Sequence, residues 1–180
     1  MTADGFVCGP NGELDWMTFN WDGKIMKYVN ELTDTSDTIL LGRKMTPGFM
    51  TYWSRVVEDP KNPEHEFGKK MIDTPKVVFT KTLDKSEWKN TTLAKGNLTD
   101  EINKLRNRSG KDIIVYGGAS FVSSLIKEGL IDEFHLFINP AAIGSGMKIF
   151  EDIERKQNLK LIKSIPFDSG IVLLHYEPEK

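Results

Sequence analysis

Apolar and polar positions along this chain switch repeatedly between two periods. Ile25, Met26, Tyr28, Val29 and Leu32 recur at helical spacing and predict a helix over 21–32. Thr38-Ile-Leu-Leu41 is a short apolar run ended by Gly42, the pattern of a buried strand. A short helix follows over 43–52, its outline blurred by Pro47 and Gly48. Residues 54–74 are polar, with Pro60, Pro63 and one short helical stretch over 64–72, and read largely as a long loop. Lys76-Val-Val-Phe79 is a second buried strand, and 99–108 reads as a helix capped by Thr99 with Ile102 and Leu105 on its apolar face. Ile113 to Tyr116 form a third buried strand, followed by a helix over 120–127 with Gly129 where a helix C-terminal glycine belongs. Phe134, Leu136 and Ile138 then alternate with His135 and Phe137 in a strand, and 158–165 and 170–176 form an antiparallel pair across Pro166-Phe-Asp-Ser169. Strands alternating with helices and then strands in succession predict an α/β fold. Its sheet is mostly parallel, with helices on both faces and antiparallel C-terminal strands.

Composition narrows the classes without naming a function. At 180 residues the chain reads as one domain, large enough to bury a core unaided. Lys and Arg number 24 against 26 Asp and Glu, a net charge of −2, so no basic field points to nucleic acid. A local cluster could still hold a small anion. One cysteine, Cys8, rules out an intrachain disulfide, and His65, His135 and His175 are far apart in sequence, so no metal set is assigned. No apolar run approaches the ~20 residues of a membrane span, and no export signal is read at the start. The expected setting is the cytoplasm, and the three Asn-X-Ser/Thr matches are read as chance.

Three strand ends carry chemistry. Tyr116-Gly-Gly-Ala-Ser120 is a strand, a glycine hinge and a helix start. Unpaired N–H groups and the positive end of a helix dipole attract phosphate where glycine lets the backbone come close. It does not match GxGxxG, and the plain alternative is a tight turn. Gly42-Arg-Lys-Met-Thr46 likewise follows a strand and opens a helix, with two cations and a hydroxyl, while Phe79-Thr-Lys81 ends another. For each the plain alternative is a solvated charge. Together they suit an open α/β sheet, whose ligands bind beyond the carboxyl ends of the strands.

The order of motifs over nearly the whole chain resembles the dihydrofolate-reductase-like superfamily. It is most similar to the reductase domain at the C-terminus of bifunctional riboflavin-biosynthesis deaminase/reductases and to its stand-alone relatives. The residues that carry the resemblance are Thr2-Ala-Asp-Gly-Phe-Val7, Asp15-Trp16, Thr38-Ile-Leu-Leu-Gly-Arg43, Val78-Phe-Thr-Lys-Thr-Leu83, Ile114-Val-Tyr-Gly-Gly118 and Leu130 to Gly146. The resemblance implies a three-layer α/β/α fold and NADPH as cofactor. It assigns the diphosphate to Gly117, Gly118, Ala119, Ser120, Phe121 and Val122. It assigns the adenosine 2′-phosphate to Arg43, Lys44, Thr46, Thr80 and Lys81, beside the cofactor-binding Gly42, and the nicotinamide pocket to Asp4, Gly5, Phe6 and Val7. The Gly-Gly peptide is often cis in that superfamily. A homodimer is also implied by resemblance.

Two departures qualify this. Relatives carry a full apolar strand before their Asp-Gly motif, whereas only Met1-Thr2-Ala3 precede Asp4, which reads as a trimmed or incomplete first strand. Folate reductases also place a carboxylate on the helix after a Trp-containing loop. Here the equivalent turn falls near Ile25 and Met26, and Asp22, one turn earlier, is a loose catalytic candidate whose alternative role is to favour the helix start. Aromatic residues Trp16, Phe19, Trp21, Phe49, Tyr52 and Trp53 could face a flat substrate, with Asp4, Trp16, Phe49 and Trp53 as substrate candidates, or could simply be core. The expected activity is NADPH-dependent hydride transfer to a C=O or C=N carbon of a small heterocycle, pterin or aminopyrimidine-like. The alternatives are a nucleotide-binding module without catalysis and dihydrofolate reductase proper.

Overall fold

The computed structural model describes residues 1–18 and 21–179. Its elements run α1 (Gly23–Asp34), β1 (Ser36–Gly42), α2 (Thr46–Glu58), α3 (His65–Asp73), β2 (Lys76–Phe79), β3 (Thr91–Ala94), α4 (Leu98–Arg106), β4 (Asp112–Gly117), α5 (Ala119–Lys127), β5 (Phe134–Ile138), β6 (Leu159–Pro166) and β7 (Val172–Pro178). They group into two compact units, residues 30–121 and residues 1–29 with 122–180, the division falling inside α1 and α5.

The 30–121 unit holds a parallel sheet in the order β3-β2-β1-β4. Ile39, Leu40 and Leu41 of β1 and Val77 and Val78 of β2 are buried, as expected of parallel strands covered on both faces. The register pairs Gly42 with Phe79 and Leu41 with Gly117. The carboxyl ends of β2, β1 and β4 therefore finish side by side.

Helix α2 runs to Glu58, well past the expected 43–52, because Pro47 lies in its first turn, where a missing N–H costs nothing. Thr46, Phe49, Met50 and Val56 form its buried stripe. Gly68 of α3 lets the two helices approach, since a β-carbon there would sit 2.9 Å from Val56 Cγ1. The expected long loop shrinks accordingly to the segment between α2 and α3. Strand β3 has no counterpart in the sequence reading, being four residues long and half exposed. Asn97, not Thr99, caps α4, its side-chain oxygen accepting from the N–H groups of Thr99 and Asp100.

A buried lysine closes α3. Lys76 is 1% exposed, and its ammonium donates to the carbonyls of Met71 (2.8 Å), Ile72 (2.8 Å) and Thr74 (2.6 Å). Those carbonyls have no intrahelical donor at a helix C-terminus, so the cation replaces the missing partners.

In the other unit β5, β7 and β6 form an antiparallel sheet of their own, in that order. Helix α5 ends as the sequence suggests. Gly129 has φ +64°, its N–H donates to Ile126, and Leu130 N–H donates to Leu125, a Schellman closure. Ile126, Phe134 and Ile149 form a core cluster, with Val7, Val122, Leu136 and Tyr176 packed against it. Met1 to Ala3 make a single parallel bridge, Thr2 to Asn139, rather than a strand. Among the described residues no helix is long and apolar enough to cross a membrane.

Candidate functional site

The three strand ends picked out from sequence meet at one edge of the parallel sheet. β1 leads into Arg43 and Lys44, β2 into Thr80 and Lys81, and β4 into the Gly117–Gly118 hinge that opens α5. Arg43, Lys44 and Lys81 are all exposed, and none has an ion-pair partner among the described residues. Such cations beside a helix N-terminus can receive an anion without first breaking a salt bridge.

Close packing shapes this edge. A β-carbon on Gly42 would lie 2.9 Å from Phe121 Cβ and 3.1 Å from the Gly118 nitrogen. Gly117 has φ +136°, and a β-carbon there would meet Met45 Sδ at 2.7 Å. The Gly117–Gly118 peptide is cis. At Gly118 a β-carbon would meet, among the described residues, only Met45 Cβ at 3.6 Å, so the backbone stays open to approach. Phe79 and Phe121 stack with ring centroids 4.8 Å apart, fixing the first turn of α5 against the end of β2.

Two residues expected to touch phosphate also brace the turns they sit in. Thr46 is wholly buried and its hydroxyl donates to the Gly42 carbonyl at 3.1 Å, so it braces the turn after β1. The Thr80 hydroxyl oxygen accepts from the N–H groups of Thr82 and Leu83, both at 3.1 Å, and sets the turn that carries Lys81. Ala119, Ser120 and Phe121 occupy the first turn of α5. Val122, one residue on, packs into the other unit's core, as does Val7.

The proposed aromatic wall divides. Phe49 is buried, tilted against Tyr116 and edge-on to Trp53, and Trp53 packs edge-on to Phe67 and Tyr52. These four contacts pack the buried Phe49 and the half-buried Trp53 into one aromatic cluster of the 30–121 unit. Trp21 stacks on Phe137 in the other unit. Phe19 lies outside the described residues. Trp16 differs, because its indole N–H is buried with no hydrogen-bond partner among the described residues. A polar atom left so is expensive unless something else satisfies it.

The Asp-Gly loop is tied down rather than free. Phe6 N–H donates to the Thr2 hydroxyl oxygen at 2.8 Å, and Gly5 takes φ +91°. The Asp4 carboxylate accepts from Gly144 N–H at 2.7 Å and Ile143 N–H at 3.0 Å. The Thr2 side chain first, then these N–H groups, lower its pKa from the ordinary carboxylate value. Asp4 thus fastens the first loop to the 139–147 loop. Asp22 caps α1, one oxygen accepting from Lys24 and Ile25 N–H at 2.9 Å each. Its other oxygen is buried and has no partner among the described residues.

One grouping was invisible in sequence. Glu133, His135 and His175 converge on one face of the antiparallel sheet, their ligand atoms all within 4.8 Å of one another. The signal lies in strand register, which pairs His135 with His175 and is not readable from residue spacing alone.

Comparison with known proteins agrees with this architecture. The chain is 35% identical over 178 residues to the uncharacterized protein YyaP of Bacillus subtilis (strain 168), covering 98% of this chain and 90% of that one. Its fold matches a Shewanella sp. PV-4 protein attributed to riboflavin biosynthesis, with TM-score 0.76 and 22% identity over 100% of this chain and 96% of the other. It also matches Enterococcus faecalis dihydrofolate reductase complexed with NADP(H) and RAB-propyl, with TM-score 0.58 and 15% identity over 96% and 89% of the two chains. The α/β class with mostly parallel middle strands and antiparallel C-terminal strands is thus a dihydrofolate-reductase-like fold. Matching the model of the RibD C-terminal domain over residues 1–173, the chain belongs to that family.

Proposed function

We propose that this protein is an NADPH-dependent reductase of a small heterocyclic substrate, pterin or aminopyrimidine-like. The observation that carries the reading is the juxtaposition of three unpaired cations, Arg43, Lys44 and Lys81, with the glycine-led start of α5 on adjacent strand ends. Dinucleotide phosphates match that donor set: backbone N–H groups and a helix dipole for the diphosphate, and three side-chain cations for an extra phosphate on the ribose. The Enterococcus reductase that shares the fold carries NADP(H).

Residues 117–121 would hold the diphosphate, and Arg43, Lys44 and Lys81 the 2′-phosphate. Thr46 and Thr80 act indirectly, by holding the turns that present those cations. When bound, NADPH supplies a hydride to a C=O or C=N carbon. The protein supplies binding, orientation and exclusion of water. Incubation of the protein with NADPH and a panel of pterins, aminopyrimidine ribosides and aldehydes, followed by loss of NADPH absorbance, tests the reading. Turnover of at least one supports it. Saturable NADPH binding with no turnover of any would instead identify a nucleotide-binding module.

Dihydrofolate reductase proper remains a second reading because of Asp22, whose buried carboxylate oxygen has no partner among the described residues. A carboxylate so placed can support protonation of a pterin. Methotrexate-sensitive dihydrofolate turnover that disappears in Asp22→Asn would establish it. The wild-type protein's failure to reduce dihydrofolate would remove it.

A further inference from the structure

We propose that Glu133, His135 and His175 form a binding site for a borderline divalent cation of the zinc class. The site shares no residue with the strand ends that carry the reductase reading and does not depend on that reading. His135 and His175 face each other in register across β5 and β7, their rings stacked at 4.2 Å and 20°. Both Nε2 atoms approach the same oxygen of Glu133, at 3.2 Å and 3.0 Å, and Glu133 stands immediately before β5, two residues ahead of His135. A tetrahedral zinc ion, with bonds of about 2.0–2.2 Å, holds its donors roughly 3.3–3.5 Å apart. The two Nε2–Glu133 edges are within a few tenths of an ångström of that.

Two further observations separate this trio from an ordinary surface cluster. Tyr28 OH lies 2.8 Å from His135 Nδ1. That contact fixes the ring and, with the proton on Nδ1, leaves the Nε2 lone pair for a metal, as the outer hydrogen bond of a metal-bound histidine does. His175 Nε2 is buried and makes no hydrogen bond of acceptable geometry among the described residues, despite its closeness to Glu133. One proton arrangement satisfies His135 without a metal, with Nε2–H donating to Glu133 and Tyr28 donating to Nδ1. None in this geometry satisfies His175. A shared cation would satisfy all three ligand atoms. Glu133 is exposed and the histidines are half-buried, so the ion reaches the site from solvent, which also supplies the fourth ligand.

The test is calorimetric titration of the full chain with Zn2+ and the visible spectrum after adding Co2+. The expected result is one equivalent bound, with a four-coordinate Co2+ spectrum. His175→Gln and Glu133→Gln should each weaken Zn2+ binding by more than about tenfold, and Tyr28→Phe by about tenfold. Cys8→Ser should leave affinity unchanged. Absence of stoichiometric binding overturns the proposal, as does affinity that survives both ligand substitutions. Should His175→Gln fail to fold, Glu133→Gln decides alone, because its side chain is exposed.

Discussion

Gly42→Ala tests whether the close approach of β1 to the start of α5 is what builds the cradle. The new methyl would lie 2.9 Å from Phe121 Cβ and 3.1 Å from Gly118 N. Carbon atoms rest about 3.5–4.0 Å apart, so Phe121 must retreat by roughly 0.6 Å or more, and the first turn of α5 moves with it. Rotamer change cannot relieve this, since the contacts are a β-carbon and a backbone nitrogen. Overpacking of this kind costs about 1–3 kcal/mol, and each kcal/mol lowers Tm by about 2–4 °C in a chain of this size. A binding geometry displaced by more than about 0.5 Å also loses its hydrogen bonds, so NADPH affinity should fall by about tenfold or more. Differential scanning fluorimetry and calorimetric titration with NADPH measure the two effects. Gly48→Ala is the control: it lies in α2 with nothing within 4 Å of its β-carbon, so it should stabilise by up to about 1 kcal/mol and leave binding alone. A Gly42→Ala protein that melts lower yet binds NADPH normally would refute the cradle, and one unchanged in both would refute the packing argument as well.

Other substitutions follow from the same geometry. Arg43→Ala should weaken NADPH by about tenfold or more and NADH little, since one charge-assisted hydrogen bond contributes about 1.5–3 kcal/mol; equal losses in paired titrations would remove Arg43 from the 2′-phosphate site. Lys76→Met should cost about 1–3 kcal/mol or more in urea unfolding, because one buried and two part-buried carbonyls lose their donor; a neutral effect would contradict that role. Burial lowers the Lys76 pKa from 10.5 to about 8, with Asp73 opposing and Lys89 assisting. The unfolded chain therefore binds the extra proton between those values, and the wild type should gain stability over Lys76→Met as pH rises from 8 towards 10.5. A difference that is flat or shrinks over that window would contradict the sign. Asn97→Ala should destabilise by about 0.5–2 kcal/mol as the cap of α4 is lost, whereas Thr99→Ala should cost less; the reverse ranking would return the cap to Thr99.

What the sequence made legible, and what it hid, divides along physical lines. β1 and β2 were readable because strands buried on both faces are apolar throughout, and the half-buried β4 because Ile113 to Val115 form an unbroken apolar run; the glycines and cations stand immediately after those runs. The length of α2 was not, because Pro47 and Gly48 break a helix in its interior yet are tolerated in its first turn. Strand β3 escaped because a half-exposed four-residue edge has no period to detect. At the site, composition could mark Arg43, Lys44 and Lys81 as cations, but only strand order shows that they stand on neighbouring ends. Thr46 and Thr80 looked like phosphate ligands because hydroxyls near helix starts often are. Their partners turned out to be backbone groups of their own turns. The pairing of His135 with His175 depends on hairpin register, which no local pattern encodes.

Parallel calorimetric titrations of the wild-type protein with NADPH and NADH test the central claim most directly. Three unpaired cations at the ends of β1 and β2 should make NADPH bind about 10–100-fold more tightly, the equivalent of one or two charge-assisted hydrogen bonds to the 2′-phosphate. Equal affinities, or no binding of either dinucleotide, would contradict it.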